Sequence, residues 1–503
     1  MGNDRIQAAQ VYHEITKHSY ASVRTAPNYL DWDIKPLPYK IYPDAAAVAL
    51  SRDLALPATP TLSALSSSPL LSAVTLGIPE LTTLLFCANG LTRKKRMDGE
   101  DYHFRAAPSA GALYPIEIYL AAGHVDDLEA GLYHFSPADL KLRGLRRGDW
   151  RQLIARAAAD RPSLLNCDAV LILSSIFWRS AWKYRARAYR YCFWDAGTML
   201  ANLLAAASSE TIPVDVITAF SDPEMESLLG IDGEREGAVA LIALGGAAHQ
   251  IAEPPELTPM RFEAIALSSR EVAYPDLQKI QSESRLIGTD QVRKVADAPV
   301  ELAISPVSQH ALKFAGVPAD HGLRLGETIL RRGSTRAFAQ EPMPSDELAT
   351  IMRVSSGHPR CDFSRLTDTY LIVNAIEGLE PGAYHYNREA EAFELLKRGK
   401  FRGEAGYLCL EQPLGLDCSA LVVYMSSLER VLNSLGNRGY RDAHLEAGIL
   451  GGRAYLAAYA LGRGATGLTF YDDDTTRFFE PQTASGSPIL MVALGVPLSK
   501  ASS

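Results

Sequence analysis

The pentapeptide Gly131-Leu132-Tyr133-His134-Phe135 recurs as Gly382-Ala383-Tyr384-His385-Tyr386, at a spacing of 251 residues. Other elements keep this spacing: Arg187-Ala188-Tyr189-Arg190 recurs as Arg438-Gly439-Tyr440-Arg441, and Thr218 with Asp222 recurs as Thr469 with Asp473. One register held over so many elements indicates duplicated structural units rather than chance. The sequence therefore predicts two fused copies of one fold.

The first copy carries an insertion. Upstream of the repeat the spacing rises to 267, at which Glu80-Leu81 corresponds to Glu347-Leu348. The two spacings differ by 16 residues, which we place in a basic stretch that runs from Arg93-Lys94-Lys95-Arg96 to Phe104. This stretch is either a loop or lid or a merely solvated surface, which charge runs more often are.

Apolar segments in both copies alternate between strand and helix patterns. Ala- and Leu-rich helical patterns at 195–207 and 446–461 carry small residues, which let two helices approach closely. We expect a duplicated α+β (α/β) sandwich whose halves meet through these helices. The predicted division is an N-terminal extension at 1–58, a first half at 59–251, a linker at 252–320 and a second half at 321–503.

Composition narrows the class of protein. The chain has 503 residues, 47% hydrophobic and 21% charged, as soluble globular proteins do. A net charge of −8 argues against nucleic-acid binding. Six scattered cysteines give neither a metal-ligand spacing nor a disulfide framework and fit a reducing cytoplasm. The chain shows no apolar signal core and no run of membrane-spanning length, so we expect a small-molecule or peptide substrate and no membrane partner.

A turn of small residues, Arg105-Ala106-Ala107-Pro108-Ser109-Ala110-Gly111-Ala112-Leu113-Tyr114-Pro115, precedes a strand pattern at 116–120. Its prolines hold the backbone, and its small side chains would let a flat ring lie against it. The ordinary alternative is a tight turn that feeds a core strand. In the second copy Pro359-Arg360-Cys361-Asp362 stands where the first has Pro108-Ser109-Ala110-Gly111, and this bulk and charge exclude a ring.

The second copy keeps a different motif. Arg331-Arg332-Gly333-Ser334-Thr335-Arg336 stands where the first copy has Ala64-Leu65-Ser66-Ser67-Ser68-Pro69. Three guanidiniums and a hydroxyl suit a phosphate dianion, although a solvated basic helix end is the alternative. Because each copy keeps one motif that the other lacks, we expect a single composite site, with the phosphate on the second half and the ring on the first.

Lys183-Tyr184 also differs between the copies, since Ser434-Leu435 occupies the matching positions. A lysine beside a phenol and other cations has a lowered pKa and can transfer protons at working pH. The alternative is a surface lysine next to a core tyrosine.

These elements together resemble a known family. The turn at 105–115, Gly131-Leu132-Tyr133 and Lys183-Tyr184 with Arg187 to Tyr191 look like the SagB-type azoline dehydrogenase branch of the nitroreductase-like flavoproteins. The motif at 331–336 resembles the FMN-phosphate motif of ordinary nitroreductases. The resemblance implies an α+β sandwich that binds FMN between two copies, which are fused in this chain. The family carries glycine where this chain has Ala188, whose methyl would narrow the pocket.

The resemblance also implies residue roles. Lys183 and Tyr184 would remove the substrate proton, and Thr469 and Phe470 would approach the flavin N5 edge. The other implied cofactor contacts are Arg331, Arg332, Ser334 and Lys500 for phosphate and ribityl, with Arg336 in the same motif, and Pro108, Ser109, Ala110 and Gly111 along the isoalloxazine.

We therefore expect an FMN-dependent oxidoreductase that dehydrogenates a thiazoline- or oxazoline-like ring or a related C–N bond. One alternative is an NAD(P)H-dependent reductase of nitro or quinone compounds. Another is a flavin-binding but non-catalytic partner in a peptide-modifying complex. The complementary losses predict one flavin per polypeptide, and a monomer, because the halves already supply each other's interface.

Overall fold

The computed structural model describes residues 2–26, 29–51, 54–66, 76–97, 100–246, 251–300, 308, 310–481 and 486–498. Their strands, in chain order, are β1 (Ala47–Ala49), β2 (Leu91–Met97), β3 (Glu100–Arg105), β4 (Ile116–Ala122), β5 (Gly131–Ser136), β6 (Lys141–Arg147), β7 (Ala169–Ile176), β8 (Val214–Ile217), β9 (Glu236–Leu244), β10 (Asp368–Val373), β11 (Gly382–Asn387), β12 (Ala392–Arg398), β13 (Ala420–Ser426), β14 (Gly464–Leu468) and β15 (Ser487–Gly495).

The α-helices of the same residues are α1 (Gln7–Ile15), α2 (Tyr20–Thr25), α3 (Thr61–Ser66), α4 (Ile78–Asn89), α5 (Arg151–Ala157), α6 (Pro162–Leu165), α7 (Phe177–Tyr184), α8 (Ala188–Ser209), α9 (Asp222–Leu229), α10 (Pro275–Glu283), α11 (Thr289–Ala296), α12 (Leu325–Arg331), α13 (Ser345–Ser356), α14 (Arg402–Leu408), α15 (Pro413–Asp417), α16 (Leu428–Leu435), α17 (Arg438–Ala460) and α18 (Asp472–Phe479). None of these helices is long and apolar enough to cross a membrane.

Two antiparallel sheets repeat one topology. In the described residues the first sheet has the order β1-β6-β5-β4-β7-β9-β8 and the second has the order β12-β11-β10-β13-β15-β14. Their registers agree as well, since Glu117 pairs with Ser174 in the first sheet and the matching Asp368 pairs with Met425 in the second. The predicted duplicated α+β sandwich is confirmed.

Central strands of each sheet are buried on both faces, which explains their near-continuous apolar sequences. In β7, Leu171 and Leu173 belong to a large core that both halves share, whereas Val170 and Ile172 face a smaller core under α5 and α9. This alternation follows the two-residue period of a strand. The predicted division of the chain into four segments stays a prediction; β1, which falls inside the predicted extension, joins the first sheet.

The long helices α8 and α17 cross at the seam between the halves. A Cβ atom placed on Gly197 would lie 2.6 Å from Cα of Gly448, and one placed on Gly448 would lie 2.5 Å from the carbonyl oxygen of Trp194. Gly197 and Gly448 are 251 residues apart, so the crossing lies on the pseudo-two-fold axis. The predicted helix interface, with small residues at the contact, is confirmed.

Reciprocal ion pairs hold the same seam. The buried carboxylate of Asp472 accepts hydrogen bonds from Arg190 at 2.8 Å and Arg187 at 3.1 Å. In the mirrored arrangement Asp222 accepts from Arg438 at 3.1 Å and from Arg441 at 3.2 Å. Asp472 is therefore the counterpart of Asp222, and the predicted pairing of Asp222 with Asp473 was wrong by one residue. The loop before β8, residues 210–213, is one residue longer than the loop before β14, residues 461–463.

The insertion in the first copy forms a hairpin of β2 and β3, in which Arg93 pairs with Phe104. In the described part of the chain the second half has no counterpart of this hairpin. The hairpin leads directly into the turn at 105–115, so it borders the predicted ring site.

Candidate functional site

Asp195 of α8 holds the small-residue turn in place. Its carboxylate accepts a hydrogen bond of 2.5 Å from Oγ of Ser109 and one of 2.9 Å from the amide of Ala110. Oγ of Ser109 accepts in turn from the amide of Tyr114, at 2.9 Å. Gly111 has a φ of 65°, in the region that favours glycine. The turn is thus a fixed surface rather than a loose loop.

Burial raises the pKa of Asp195 to about 7, although the hydrogen bonds from Ser109 and Ala110 oppose that rise. Sequence reasoning missed this residue as part of the site. A signal was present, because the matching position carries Glu446, and a carboxylate on an apolar interface helix of both copies needs buried hydrogen-bond donors. Glu446 accepts from the amide of Leu366 at 3.0 Å and from Oγ1 of Thr367 at 2.7 Å.

Lys183 and Tyr184 lie directly against the turn. They end α7, which stops because Arg185 adopts a φ of 53°. A Cβ atom placed on Gly111 would lie 2.7 Å from Oη of Tyr184 and 3.3 Å from Nζ of Lys183. The absence of a side chain at Gly111 therefore makes room for both groups. The structure brings the predicted proton-transfer pair and the predicted ring surface together.

The pKa values of Lys183 and Tyr184 shift in opposite directions. Burial, followed by the charge of Arg336 from the second half, lowers the pKa of Lys183. Burial, followed by Tyr191 and Asp195, raises the pKa of Tyr184 well above its ordinary range. The two shifts have opposite effects, since Lys183 loses its proton more easily than an ordinary lysine and Tyr184 less easily than an ordinary tyrosine.

The motif at 331–336 reaches the same place from the second half. The buried guanidinium of Arg332 donates to the carbonyl oxygens of Ala106 and Arg105, each at 2.9 Å, and so ties the second half to the turn. Ser334 lies 3.5 Å from the hydroxyl of Tyr455. Arg336 is exposed and, within the described residues, makes no hydrogen bond or ion pair.

Three further predicted residues have different placements. Arg331 is 63% exposed and pairs with Glu327 at 2.5 Å on the outer face of α12, so the structure does not bring its side chain to the turn. Thr469 lies 3.4 Å from the hydroxyl of Tyr191, and Phe470 is fully buried with its ring centroid 6.4 Å from that of Trp194. Lys500 lies outside the described residues.

The counterpart site in the other half is filled by the chain itself. The carboxylate of Asp362 accepts hydrogen bonds from the amides of Thr218 at 2.9 Å and Ala219 at 2.8 Å, and from the hydroxyl of Thr218 at 3.0 Å. Ala219 is the counterpart of Thr469 in the register that the ion pairs of the seam define. The turn that replaces the small-residue turn thus occupies this space with a carboxylate.

Ala188, the departure from the family pattern, is fully buried at the start of α8. Its counterpart Gly439 lies close to Val431, which a Cβ atom would approach to 2.7 Å. In the first half the residue that matches Val431 is Ser180, so a smaller neighbour accompanies the added methyl. The narrowing of the pocket by Ala188 stays a prediction.

Comparison with known families identifies the fold. A family model described as the Nitroreductase family matches the chain twice, at residues 78–246 and 329–496, which together exceed half of its length. This chain belongs to the nitroreductase family. The predicted family, the fusion of two copies and the oxidoreductase class are confirmed, and members of the family are typically flavin-dependent.

Individual nitroreductase-family relatives agree. A crystal structure named as a nitroreductase of Anabaena variabilis is 28% identical with a TM-score of 0.78, covering 98% of this chain and 99% of that one. A protein of Methanocaldococcus jannaschii named as a nitroreductase is 29% identical over 156 residues, 31% of this chain and 75% of that protein. The trifolitoxin-processing protein TfxB of Rhizobium leguminosarum bv. trifolii is 31% identical over 181 residues, 34% of this chain and about half, 48%, of its own length.

Proposed function

We propose that this nitroreductase-family enzyme holds one FMN in the seam between its halves and dehydrogenates a thiazoline- or oxazoline-like ring or a related C–N bond. The observation that carries the proposal is the meeting of Lys183 and Tyr184 with Gly111, under the charge of Arg336 from the other half. A plain nitro or quinone reductase has no need for a base at this position.

The residues present fit FMN. The turn at 108–111 offers a surface of small residues without a charged side chain, on which an aromatic ring can lie. Ser334 supplies a hydroxyl for a phosphate, and Arg336, which has no ion-pair partner among the residues that the structure describes, supplies a cation. Arg332 positions the turn through its two carbonyl contacts. When bound, FMN would supply hydride acceptance, and the protein supplies binding, orientation and proton transfer.

Lys183 is the proposed base. Nζ of Lys183 would take the proton that the ring of the substrate loses, while bound FMN would supply the oxidant for the accompanying hydride, so that the product is the aromatic azole. A lowered pKa increases the fraction of neutral amine at neutral pH. Tyr184 keeps its proton and orients the substrate by donating a hydrogen bond. The similarity to TfxB, a protein named for toxin processing, supports a processed peptide as substrate.

One flavin per chain is part of the proposal. Asp362 already satisfies the amides of Thr218 and Ala219, so the counterpart site offers its donors to a carboxylate rather than to a cofactor. The ratio of flavin absorbance to protein concentration tests this point. A ratio of two flavins per chain would refute it.

The decisive experiment is a single-turnover reaction of the FMN-loaded chain with a thiazoline substrate, followed by loss of flavin absorbance. We expect Lys183→Ala to slow this step by about 100-fold or more, and Lys279→Ala, at an exposed lysine of α10, to leave it unchanged. Both variants should bind FMN as the wild type does. Unchanged reduction of flavin by Lys183→Ala would refute the base.

A second candidate function is reduction of nitro or quinone compounds by NAD(P)H. The match over 98% of the chain to a structure named as a nitroreductase favours it. Rapid NADPH oxidation with a nitro or quinone acceptor, unaffected by Lys183→Ala, would select this function. A chain that binds flavin and turns over neither substrate class would instead act as a non-catalytic partner.

A further inference from the structure

The hairpin of β2 and β3 reaches across the seam to the motif at 331–336. It packs against α12 of the second half. A Cβ atom placed on Gly333 would lie 3.9 Å from Nη2 of Arg93 and 3.6 Å from the hydroxyl of Tyr459. Arg93 therefore lies beside the Gly333-Ser334 turn, on the side that the hairpin covers.

The guanidinium of Arg93 contacts an aromatic ring, but no carboxylate of the described residues pairs with its charge. It stacks over the ring of its cross-strand neighbour Phe104, with 4.7 Å between Cζ and the ring centroid. Among the described residues no carboxylate pairs with it. By contrast, Lys94 on the same strand pairs with Asp101 at 2.7 Å, and Arg331 pairs with Glu327.

Positive charge thus gathers around Gly333 and Ser334 from both halves. Arg93 lies beside Gly333, the residue that follows Arg332. Burial lowers the pKa of Arg332, and the charge of Arg93 adds to this lowering. Arg336, two residues after Ser334, is a further guanidinium without a carboxylate partner in the described part of the chain, and its charge acts on Lys183. A bound anion would offset this positive charge, and a hydroxyl at Ser334 would complete its coordination.

We propose that the insertion hairpin is part of the cofactor site and that Arg93 supplies, across the seam, the phosphate-binding cation that Arg331 does not. The inference rests on the proposed FMN site, but not on the choice of substrate. The proposal explains why only the first half carries the insertion. The first half would bind the flavin ring through its turn and, through Arg93, would also contact the phosphate that the second half holds.

The test measures the dissociation constants of FMN and riboflavin for the full flavin-free chain by quenching of flavin fluorescence. Riboflavin lacks the phosphate, so it separates contacts to phosphate from contacts to the ring. We expect Arg93→Ala to weaken FMN by about 10- to 100-fold and riboflavin by less than about twofold. Arg93→Lys should lie between Arg93→Ala and the wild type, since it keeps the charge and loses the planar fork.

Two controls carry the same change of charge. Arg331→Ala removes a guanidinium that pairs with Glu327, and Lys95→Ala removes an exposed cation from the same hairpin. Both should bind FMN within about twofold of the wild type at moderate ionic strength. Thermal unfolding of each flavin-free variant checks that the hairpin change leaves the fold intact.

Equal weakening of FMN and riboflavin by Arg93→Ala would overturn the inference, since the hairpin would then act by packing alone. Wild-type affinity of Arg93→Ala for FMN, or loss of FMN from Arg331→Ala instead, would also overturn it. These outcomes leave the proposed function standing. A wild-type chain that binds neither flavin would refute the proposed function itself.

Discussion

Replacing Gly197 by alanine should push the two central helices apart. The added methyl would meet Cα of Gly448 and the amide nitrogen of Ile449 at 2.6 Å, and the carbonyl oxygen of Leu445 closer still. All three are backbone atoms, which cannot rotate away as a side chain can. Because ordinary contacts begin at 3.4 Å, α8 and α17 have to separate by at least about 0.8 Å at their crossing, and by more at the carbonyl oxygen of Leu445.

The size of the effect follows from two opposing contributions. Overpacking in a well-packed core costs roughly 1–3 kcal/mol, and contact with backbone places this site at the upper end. Alanine is the better helix former and returns at most about 1 kcal/mol. We therefore expect Gly197→Ala to lose about 1–2 kcal/mol of unfolding free energy. The cost should rise in the flavin-loaded protein, since the proposed cofactor site spans the seam.

Urea unfolding and flavin retention measure this prediction. The matched control is Gly403→Ala in α14, where an added Cβ meets no atom within 4 Å and stability should stay constant or rise. The double variant Gly197→Ala with Gly448→Ala should cost less than the sum of the two single variants, because helices already separated accommodate the second methyl. A Gly197→Ala protein as stable as Gly403→Ala would refute the close crossing.

Two predictions concern buried carboxylates. Asp472→Asn leaves Arg187 and Arg190 without their counter-charge and should cost about 3–5 kcal/mol near pH 7. Arg187 and Arg190 keep the pKa of Asp472 below its ordinary value despite burial, so its stabilisation is present above pH 4 and lost as the pH falls further; urea midpoints of both proteins should converge in acid. Asp195 has a raised pKa of about 7, so its contribution is fully present below about pH 4 and is lost as the pH rises towards 7. As the pH rises from 4 to 7, the free energy of unfolding should therefore fall less in Asp195→Asn than in the wild type. Parallel profiles of unfolding free energy against pH in the two proteins would contradict this.

The internal repeat made the fold predictable from sequence, whereas a difference in loop length limited the precision with which residues of the two copies could be matched. The offset of 251 carries α7 onto α16 and β5 onto β11 without error, because packed elements do not tolerate a slip. A surface loop of one extra residue before β8 shifted the pairing of Asp222. Sequence spacing alone could not detect that shift, since Asp472 and Asp473 are adjacent and identical in type.

The site was predictable in part. The small turn and the lysine-tyrosine pair were predicted because the copies diverge there, and the structure places Gly111 beside Lys183 and Tyr184. Arg331 was predicted to contact the phosphate, but the structure places its side chain on the exposed face of α12. Its spacing of four from Glu327 is that of an ion pair on a helix surface and already indicated this position. Arg93 could not be assigned from sequence, because its neighbour Gly333 is 240 residues away and only the fold brings them together.

The two long helices explain how one duplicated scaffold supports the proposal of a single site. Both carry an inward carboxylate at matching positions, Asp195 and Glu446. The shorter Asp195 holds Ser109 and leaves the surface of its turn open, whereas Glu446 reaches the backbone of Leu366. On that side Asp362 then satisfies the amides of the opposite half. A buried amide that already has a carboxylate partner has nothing to gain from a neutral ring, so the closed side would stay closed even at high flavin concentration.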